Sequence, residues 1–221
     1  MFSVIIRVKN EERWIGHSIQ SVLDFIPTNE IIIVDNNSND RSLEIAKFFK
    51  RNINLKSEGS KYTDIKIINI DEYTPGKSLN LGVSQARFQN ILIISSHCIL
   101  KKFNHEEVLL KLETTPAIFG KQLPIYDGKR ITPRYIWSHF VDKEVKNMYS
   151  DLEKRYFFHN AVSVFKKELL EKYPFDEELA GKEDRYWAEK IVNDGHTYLY
   201  DPNIVCDHHY TEKGNTWKGV G

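Results

Sequence analysis

Two pairs of adjacent residues late in the chain could do acid–base or metal chemistry. Glu183 and Asp184 lie just after Gly181 and open a segment with helical spacing, so a carboxylate there could act as a general base on an attacking hydroxyl. The alternative is simple stabilisation of a helix N-terminus, where acidic residues are favoured. His208 and His209 end an apolar run, and because adjacent strand residues face opposite sides we expect only one to point into a site.

A second polar group interrupts the segment ILIISSHCIL at residues 91–100. Its apolar residues are followed by Ser95, Ser96 and His97, so hydroxyl and imidazole groups emerge together from a predicted strand. A surface histidine is the default interpretation of His97. Its pairing with the distant His208 in one metal site is the functional hypothesis, because imidazole nitrogen is a common metal ligand.

Cations near two predicted strand ends could neutralise a phosphate or diphosphate. Arg7 lies near the end of the first apolar run, Lys9 and Asn10 follow that run, and Lys77 follows Gly76. Ordinary solvated charge is the alternative for Lys9 and Lys77 taken singly. Arg7 lies inside the apolar run, where solvated charge is a weaker explanation.

Asp35 ends the second apolar run, EIIIVD. Its carboxylate could accept a hydrogen bond from a nucleotide base or from a ribose hydroxyl. It could equally cap the next helix, a task that Ser38 and the two preceding asparagines also suit.

Alternating strand and helix patterns must position these side chains. Short apolar runs at 2–8, 30–35, 64–70 and 90–95 predict buried strands, and helical spacing follows over 15–26, 41–51 and 78–88. This βαβαβαβ order predicts an α/β fold with a mostly parallel sheet covered on both faces. In such sheets ligands bind outside the carboxyl ends of the strands, where the candidate residues lie.

The second half of the chain has a different pattern. A polar stretch at 121–134 predicts a mobile loop, and 135–149 predicts a helix. Residues 160–167 predict a half-buried strand followed by a short helix, 183–195 another helix, and 197–210 one or two short strands. No linker divides the chain, so we expect a single domain over 1–221, with a continuation of the natural protein beyond Gly221 left open.

Composition excludes several classes of protein. The 221 residues carry 31 basic and 31 acidic side chains, so no net positive field attracts nucleic acid. Two cysteines cannot form a disulfide framework. The N-terminus lacks a signal sequence, and no run approaches the ~20 apolar residues of a transmembrane segment. We expect a cytoplasmic protein.

The order of these segments resembles the family 2 glycosyltransferases of the GT-A fold. The family's opening strand and helix are similar to SVIIRVKNEERWIGHSIQSVL, in which Asn10 and Glu11 match the family's Asn-Glu. Its nucleotide-binding segment is similar to EIIIVDNNSNDRS, in which Asp35 matches the residue that reads the base. GKSLNLGVSQA resembles the helix before the metal motif. The segment that carries the family's catalytic base resembles FDEELAGKEDRYWAEKIVNDG, and the family's closing strand resembles YDPNIVCDHH. The matches run from residue 3 to about 209.

The resemblance implies an inverting transferase with a nucleotide-binding half at 1–100 and an acceptor-binding half at 101–221. It implies a UDP-, dTDP- or GDP-linked sugar donor, a saccharide or lipid-linked saccharide acceptor, and Asp184 as the base. Bacterial members of the family suggest the synthesis of capsule or lipopolysaccharide, and a lipid-linked acceptor would bring the enzyme to the inner face of the membrane.

One motif departs from the family. Ser95, Ser96 and His97 occupy the place of the usual Asp-x-Asp, which holds Mn²⁺ or Mg²⁺; some relatives carry Asp-x-His and a late histidine, which His97 and His208 could imitate. Imidazole ligands favour Mn²⁺ over Mg²⁺. The alternative is a metal-free site in which Arg7, Lys77 or the loop arginines, Arg130 and Arg134, neutralise the diphosphate.

Two rival functions remain at this level. A sugar nucleotidyltransferase has a similar α/β layout, but RVKNEERWIG lacks the paired glycines of its basic loop. A degenerate protein that binds a sugar nucleotide or glycan without catalysis would explain the lost Asp-x-Asp.

Overall fold

The computed structural model describes residues 1–26, 29–55, 63–212 and 217. The strands are β1 (Phe2–Val8), β2 (Asn29–Asp35), β3 (Asp64–Asn69), β4 (Asn90–Ser95), β5 (Cys98–Lys102), β6 (Ala117–Tyr126), β7 (Lys129–Arg130), β8 (Val145–Lys146), β9 (Tyr149–Ser150), β10 (Arg155–Tyr156), β11 (Val162–Lys166) and β12 (Leu199–His209). The helices are α1 (Ile15–Phe25), α2 (Ser42–Leu55), α3 (Pro75–Ser84), α4 (His105–Leu112), α5 (Lys167–Lys172) and α6 (Glu183–Asn193).

A mixed, mostly parallel sheet runs through the molecule in the order β3-β2-β1-β4-β11-β6-β12-β5. Strands β1 to β4 are mutually parallel where they pair, with Val8 opposite Asp35 and Arg7 opposite Ser95. Strand β11 is antiparallel to β4 and to β6, and β12 is parallel to β6 but antiparallel to β5. The predicted α/β class is confirmed, and the carboxyl ends of β1, β2 and β4 share one edge.

Helices cover both faces of this sheet, as apolar strands buried on both sides require. Alternate residues of β1 point to opposite faces, so Ile5 packs with the α3, α5 and α6 side and Ile6 with the α1, α2 and α4 side. Gly82 of α3 lies so close to Ile5 that an added Cβ would be 2.6 Å from its Cγ2. This close approach holds α3 on β1, directly behind the strand end that faces the ligand edge.

The boundaries of α3 differ from the predicted 78–88. Thr74 is its N-cap and accepts a hydrogen bond from the Lys77 N–H at 3.1 Å, while Pro75 occupies the first turn, where no N–H is needed. The helix stops at Ser84 because the next residues turn toward β1 and β2. The backbone N–H of Phe88 donates to Ser3 Oγ at 2.9 Å.

Two predictions for the second half are wrong. Residues 121–126 are not a loop but the second half of β6, which pairs with β12 over Lys121–Ile125. Residues 135–149 contain only a 3₁₀ helix at Tyr135–His139, followed by the short strands β8 and β9. Long-range pairing of β8 with Leu199 and Tyr200 of β12 overrides the local helical preference.

Within the described part of the chain, the helices are all too short or too polar to cross a membrane.

Candidate active site

A cleft of about 800 Å³ opens at the carboxyl ends of β1 and β4. Both halves of the chain line it: β1 and the β4–β5 turn belong to the first half, and the 3₁₀ helix and the start of α6 to the second. Eight of the residues singled out from sequence line this cleft: Arg7, Lys9, Glu11, Ser95, Ser96, His97, Glu183 and Asp184.

Three other residues singled out from sequence stabilise the loops beside the cleft. The Asn10 N–H donates to Ser38 Oγ at 3.0 Å, and Asn10 Oδ1 accepts from the Asn39 N–H at 2.8 Å. The Asp35 carboxylate is fully buried and accepts from the Ser38 N–H at 3.1 Å. Hydrogen bonds therefore connect the loop after β1 to the loop after β2. Asp35 caps the loop after β2, and its neighbour Asn36 lines the cleft.

The predicted cluster of cations is only partly assembled. Lys9 Nζ donates to the carbonyl oxygens of Asn36 and Asn37 at 2.6 and 2.9 Å. Lys77 is absent from the described lining of the cleft, because its ammonium pairs with Glu72 at 3.0 Å on the outer surface of α3. Arg7 is therefore the main cation that β1 and α3 contribute to the interior of the cleft.

Glu183 and Arg7 form an ion pair across the cleft floor. Arg7 Nη1 lies 3.3 Å from Glu183 Oε1 and 3.4 Å from the Pro75 carbonyl oxygen. Burial and the neighbouring Asp184 carboxylate raise the pKa of Glu183, although Arg7 opposes them. This ion pair connects Arg7, near the end of β1, to Glu183, the first residue of α6.

Asp184 is held by a dense set of donors. Its Oδ2 accepts from Arg185 Nη1 at 2.8 Å and from the Asn160 N–H at 3.1 Å, and its Oδ1 accepts from the Arg185 N–H at 2.9 Å. Burial raises the pKa of this carboxyl, but Arg185 and the Asn160 N–H outweigh burial and hold it below its usual value. Asp184 is therefore ionised at neutral pH, as a general base must be.

The two histidines singled out from sequence meet beside the cleft. His97 Nε2 and His208 Nε2 are 3.1 Å apart. His97 Nδ1 lies 3.1 Å from Glu11 Oε1, and His208 Nδ1 lies 2.8 Å from Gln122 Oε1. His208 is buried behind His97, whereas the side chain of His209 stacks on Trp14 on the opposite side of β12. Burial, followed by the other histidines, lowers the pKa of His208.

This arrangement fits a divalent cation. Glu11 and Gln122 present oxygen acceptors to the two Nδ1 atoms, and when both Nδ1 atoms carry the proton the two Nε2 lone pairs face each other. A cation or a proton between the two Nε2 atoms relieves that repulsion. Two imidazole nitrogens bound to one ion lie about 3.0–3.4 Å apart, given metal–nitrogen distances of about 2.1 Å. Cys98 is the third group within 4.8 Å, but burial raises the pKa of its thiol, so it remains a weak ligand.

Sequence reasoning missed several residues of the site. Arg185 gave no spacing signal, because adjacent helix residues do not ordinarily face each other. Gln122 was hidden by the incorrect loop prediction for 121–134, although the pattern IFGKQLPIY contains strand-like alternation. His159 and Asn160 precede β11 and line the cleft beside Asp184.

The model of the family described as glycosyl transferase family 2 matches residues 3–174. A Staphylococcus aureus poly(ribitol-phosphate) β-N-acetylglucosaminyltransferase, TarS, is 29% identical over 104 residues, which cover 46% of this chain and 17% of TarS. The Salmonella anatum O-antigen chain rhamnosyltransferase WbaN is 20% identical over 196 residues, covering 84% of this chain and 58% of WbaN. This chain thus spans less than two thirds of either relative.

Solved structures have the same fold. The structure of S. aureus TarS residues 1–349 in complex with UDP-GlcNAc has a TM-score of 0.73 at 17% identity, covering 99% of this chain and 61% of that one. GalNAc-T7 with UDP, GalNAc and Mn²⁺ has a TM-score of 0.70 at 17% identity, covering 97% of this chain and 44% of that one. The GT-A architecture predicted from sequence is confirmed.

Proposed function

This chain belongs to glycosyl transferase family 2, and from that premise we propose that it transfers a sugar from a nucleotide-diphospho-sugar to a hydroxyl acceptor with inversion at the anomeric carbon. The observation that carries the proposal is the meeting of the strand ends, Arg7, His97 and the Glu183–Asp184 pair in one cleft. The names of TarS and WbaN support cell-surface polysaccharide as the class of product.

The donor would lie across the ends of β1, β2 and β4. Lys9, Asn36 and the interlocked loops after β1 and β2 suit the nucleoside of UDP, dTDP or GDP, and Asp35 would act by shaping the second loop. Arg7 and the hydroxyls of Ser95 and Ser96 suit the diphosphate, because they offer a cation and hydrogen-bond donors at the strand ends.

Asp184 would remove the proton from the attacking acceptor hydroxyl. The hydroxyl oxygen then forms a bond to the anomeric carbon, the bond from that carbon to the diphosphate oxygen breaks, and the electron pair leaves with the diphosphate. Arg185 and the Asn160 N–H keep the carboxylate charged and fixed before the reaction. Glu183 would hold Arg7 beside the leaving group.

A divalent cation, with Mn²⁺ favoured over Mg²⁺, would be held by His97 and His208 and would stabilise charge on the leaving diphosphate. Glu11 and Gln122 would orient the two imidazoles. The Mn²⁺ complex of GalNAc-T7 supports this choice. In a metal-free variant of the proposal, Arg7 would carry the neutralisation, since Arg130 and Arg134 are exposed and lie outside the described lining of the cleft.

We further propose a cytoplasmic reaction. Cys98 and Cys206 are free and buried, which suits a reducing compartment. A saccharide acceptor on a lipid carrier would draw the enzyme to the inner face of the membrane.

Calorimetry with UDP, GDP, dTDP and CMP, with and without Mn²⁺, tests the donor site, and transfer assays with the matching sugar nucleotides test the activity. Asp184→Asn should reduce transfer by about 10²–10⁴-fold with unchanged nucleotide affinity. Asp194→Asn, the same change at the exposed other end of α6, is the control. Near wild-type transfer by Asp184→Asn would remove the proposed base, and nucleotide binding without any transfer would make the protein a binding module.

A further inference from the structure

Several described residues other than glycine have a positive φ angle: Asn10, Asn37, Asp127, Tyr135, Asn147, Lys154 and Lys182. Asparagine and aspartate adopt this left-handed conformation comparatively easily, whereas tyrosine and lysine do so at a free-energy cost. Such strain persists only where the surrounding structure imposes it, and it concentrates at functional sites. Tyr135, Lys154 and Lys182 therefore need an explanation.

Two of these three residues line the cleft, and the strain of one is already accounted for. Lys182, with φ of 61°, is the N-cap of α6, so its conformation sets the entry of the chain into the helix that carries Glu183 and Asp184. Lys154 lies in the turn between β9 and β10, outside the described lining of the cleft. The strain at Tyr135, with φ of 57°, has no such explanation, because no group that the proposed reaction uses follows directly after Tyr135.

The backbone of Tyr135 is held from both sides. Trp137 is 1% exposed, packs against Phe140 and Trp217, and donates its backbone N–H to the Arg134 carbonyl oxygen at 3.0 Å. Ser138 Oγ donates to the Tyr135 carbonyl oxygen at 2.6 Å. The buried tryptophan thus anchors a strained residue whose own ring is 62% exposed at the cleft.

The lining that the second half of the chain contributes at Tyr135 differs in character from the lining contributed by β1 and the residues after it. Tyr135 and Ile136 give the cleft an aromatic and an aliphatic surface, whereas Arg7 and Lys9 give it cationic groups. An aromatic face packs against the apolar C–H face of a sugar ring, because the electron-rich π surface attracts the weakly positive hydrogens. An acyclic polyol has no such face.

We propose that the Tyr135 ring is the platform on which the acceptor stacks, and that this acceptor is a cyclic saccharide. This inference rests on the proposed glycosyl transfer and names the acceptor class for the same cleft. Stacking on a rigid ring would hold the acceptor at the Asp184 side of the cleft, so the strained backbone at Tyr135 would position the nucleophile.

Saturation-transfer NMR tests the platform without needing turnover. The probes are methyl β-D-glucopyranoside, which has an apolar ring face, and ribitol, which has none. We expect wild-type protein to saturate the protons of one face of the glucoside, Tyr135→Phe to retain that signal, and Tyr135→Gly to weaken glucoside binding about tenfold. Because glycine accepts positive φ, Tyr135→Gly should remain folded with an unchanged or higher unfolding midpoint.

Two further measurements separate this inference from its alternatives. Lys154→Gly relieves the same kind of strain away from the cleft and should leave glucoside binding unchanged. Nucleotide affinity of Tyr135→Gly, measured by calorimetry, should match that of wild-type protein. Equal glucoside binding by Tyr135→Gly and wild type, no glucoside binding by wild type, or preference for ribitol would each overturn the platform. Glucoside binding through Tyr135 without transfer from any donor would instead contradict the proposed activity alone.

Discussion

Replacing Arg185 with leucine removes the cation that keeps the candidate base ionised. Arg185 Nη1 lies 2.8 Å from Asp184 Oδ2 and 3.0 Å from the Phe158 carbonyl oxygen, and its Nε lies 3.3 Å from Glu153 Oε2. The side chains of Arg185 and Asp184 are each 7% exposed. Water can therefore replace the guanidinium only in part, and the Arg185→Leu variant leaves a largely buried carboxylate with less compensation.

The size of the effect follows from what Asp184 retains. Removing one partner of a buried ion pair typically costs about 3–5 kcal/mol. Asp184 would still accept from two backbone N–H groups, so we expect the free energy of unfolding to fall by about 3 kcal/mol, at the lower end of that range. Burial would then raise the pKa of Asp184, because its main cationic neighbour is gone.

The pH dependence has a definite sign. A carboxyl whose folded pKa is depressed stabilises the protein above its unfolded pKa, and that stability is lost as the pH falls through the folded pKa. In Arg185→Leu the depression of the Asp184 pKa is weakened. The carboxyl then takes up its proton at a higher pH, and the acidic limb of kcat/KM moves to higher pH.

Urea unfolding at neutral pH and a pH profile of kcat/KM measure both effects. Arg155→Leu is the matched control, because Arg155 Cζ lies over the Tyr186 ring at 4.9 Å near the surface, a contact worth about 1 kcal/mol or less. Arg185→Lys should recover part of the stability, since it restores the charge without the fork of donors. Equal costs for the two leucine variants, with an unmoved acidic limb, would refute the proposed role of Arg185.

Three further outcomes are expected. Gly76→Ala should lower the free energy of unfolding by about 1–3 kcal/mol in urea titrations, because its Cβ would overlap the backbone of 176–177; Gly16→Ala should cost less, because its Cβ would meet only side-chain atoms, with Ile45 Cγ2 nearest at 3.2 Å. Gln122→Leu should weaken Mn²⁺ binding about 10–100-fold by calorimetry, and Gln122→Glu should retain most of it. Burial and then Arg185 lower the pKa of His159 to about 3, so below pH ~6.5 the unfolded chain takes up a proton that the folded protein does not. Urea titrations of the metal-free protein should show a loss of stability from pH 7 to pH 5 that is about 2 kcal/mol smaller in His159→Gln than in wild-type protein, while the loss due to the buried His208, whose pKa is also lowered, remains in both; an equal loss in both proteins would contradict this assignment.

The first half of the fold could be predicted from sequence because its signals are local. A strand buried on both faces is a continuous apolar run, and a crossover helix repeats its apolar residues at helical spacing. Those two patterns predicted β1 to β4 and the alternation of these strands with helices along the chain. Since parallel strands joined by helices end at one edge, the same patterns placed Arg7, Ser95 and His97 together at that edge.

The second half depended on partners far away in the chain. Residues 121–126 are polar enough to predict a loop, but pairing with β12 over Lys121–Ile125 and with β7 at Ile125 and Tyr126 makes them part of β6. The segment 135–149 has residues suited to a helix, yet Val145 and Lys146 pair with β12 and Tyr149 pairs with β10. Local propensity is worth less than these long-range hydrogen bonds and buried contacts.

By itself, the sequence determined which residue types lie at the carboxyl ends of the parallel strands. It also determined that the second half of the chain supplies acidic residues and histidines that could join them. Only the tertiary structure decided their partners: Asp35 turns inward to its own loop, Lys77 outward to Glu72, and Asp184 to Arg185. The physical reason is that a strand or helix pattern specifies the face on which a side chain lies. The neighbouring elements, folded from distant segments, supply the charge and the hydrogen bonds that this face meets.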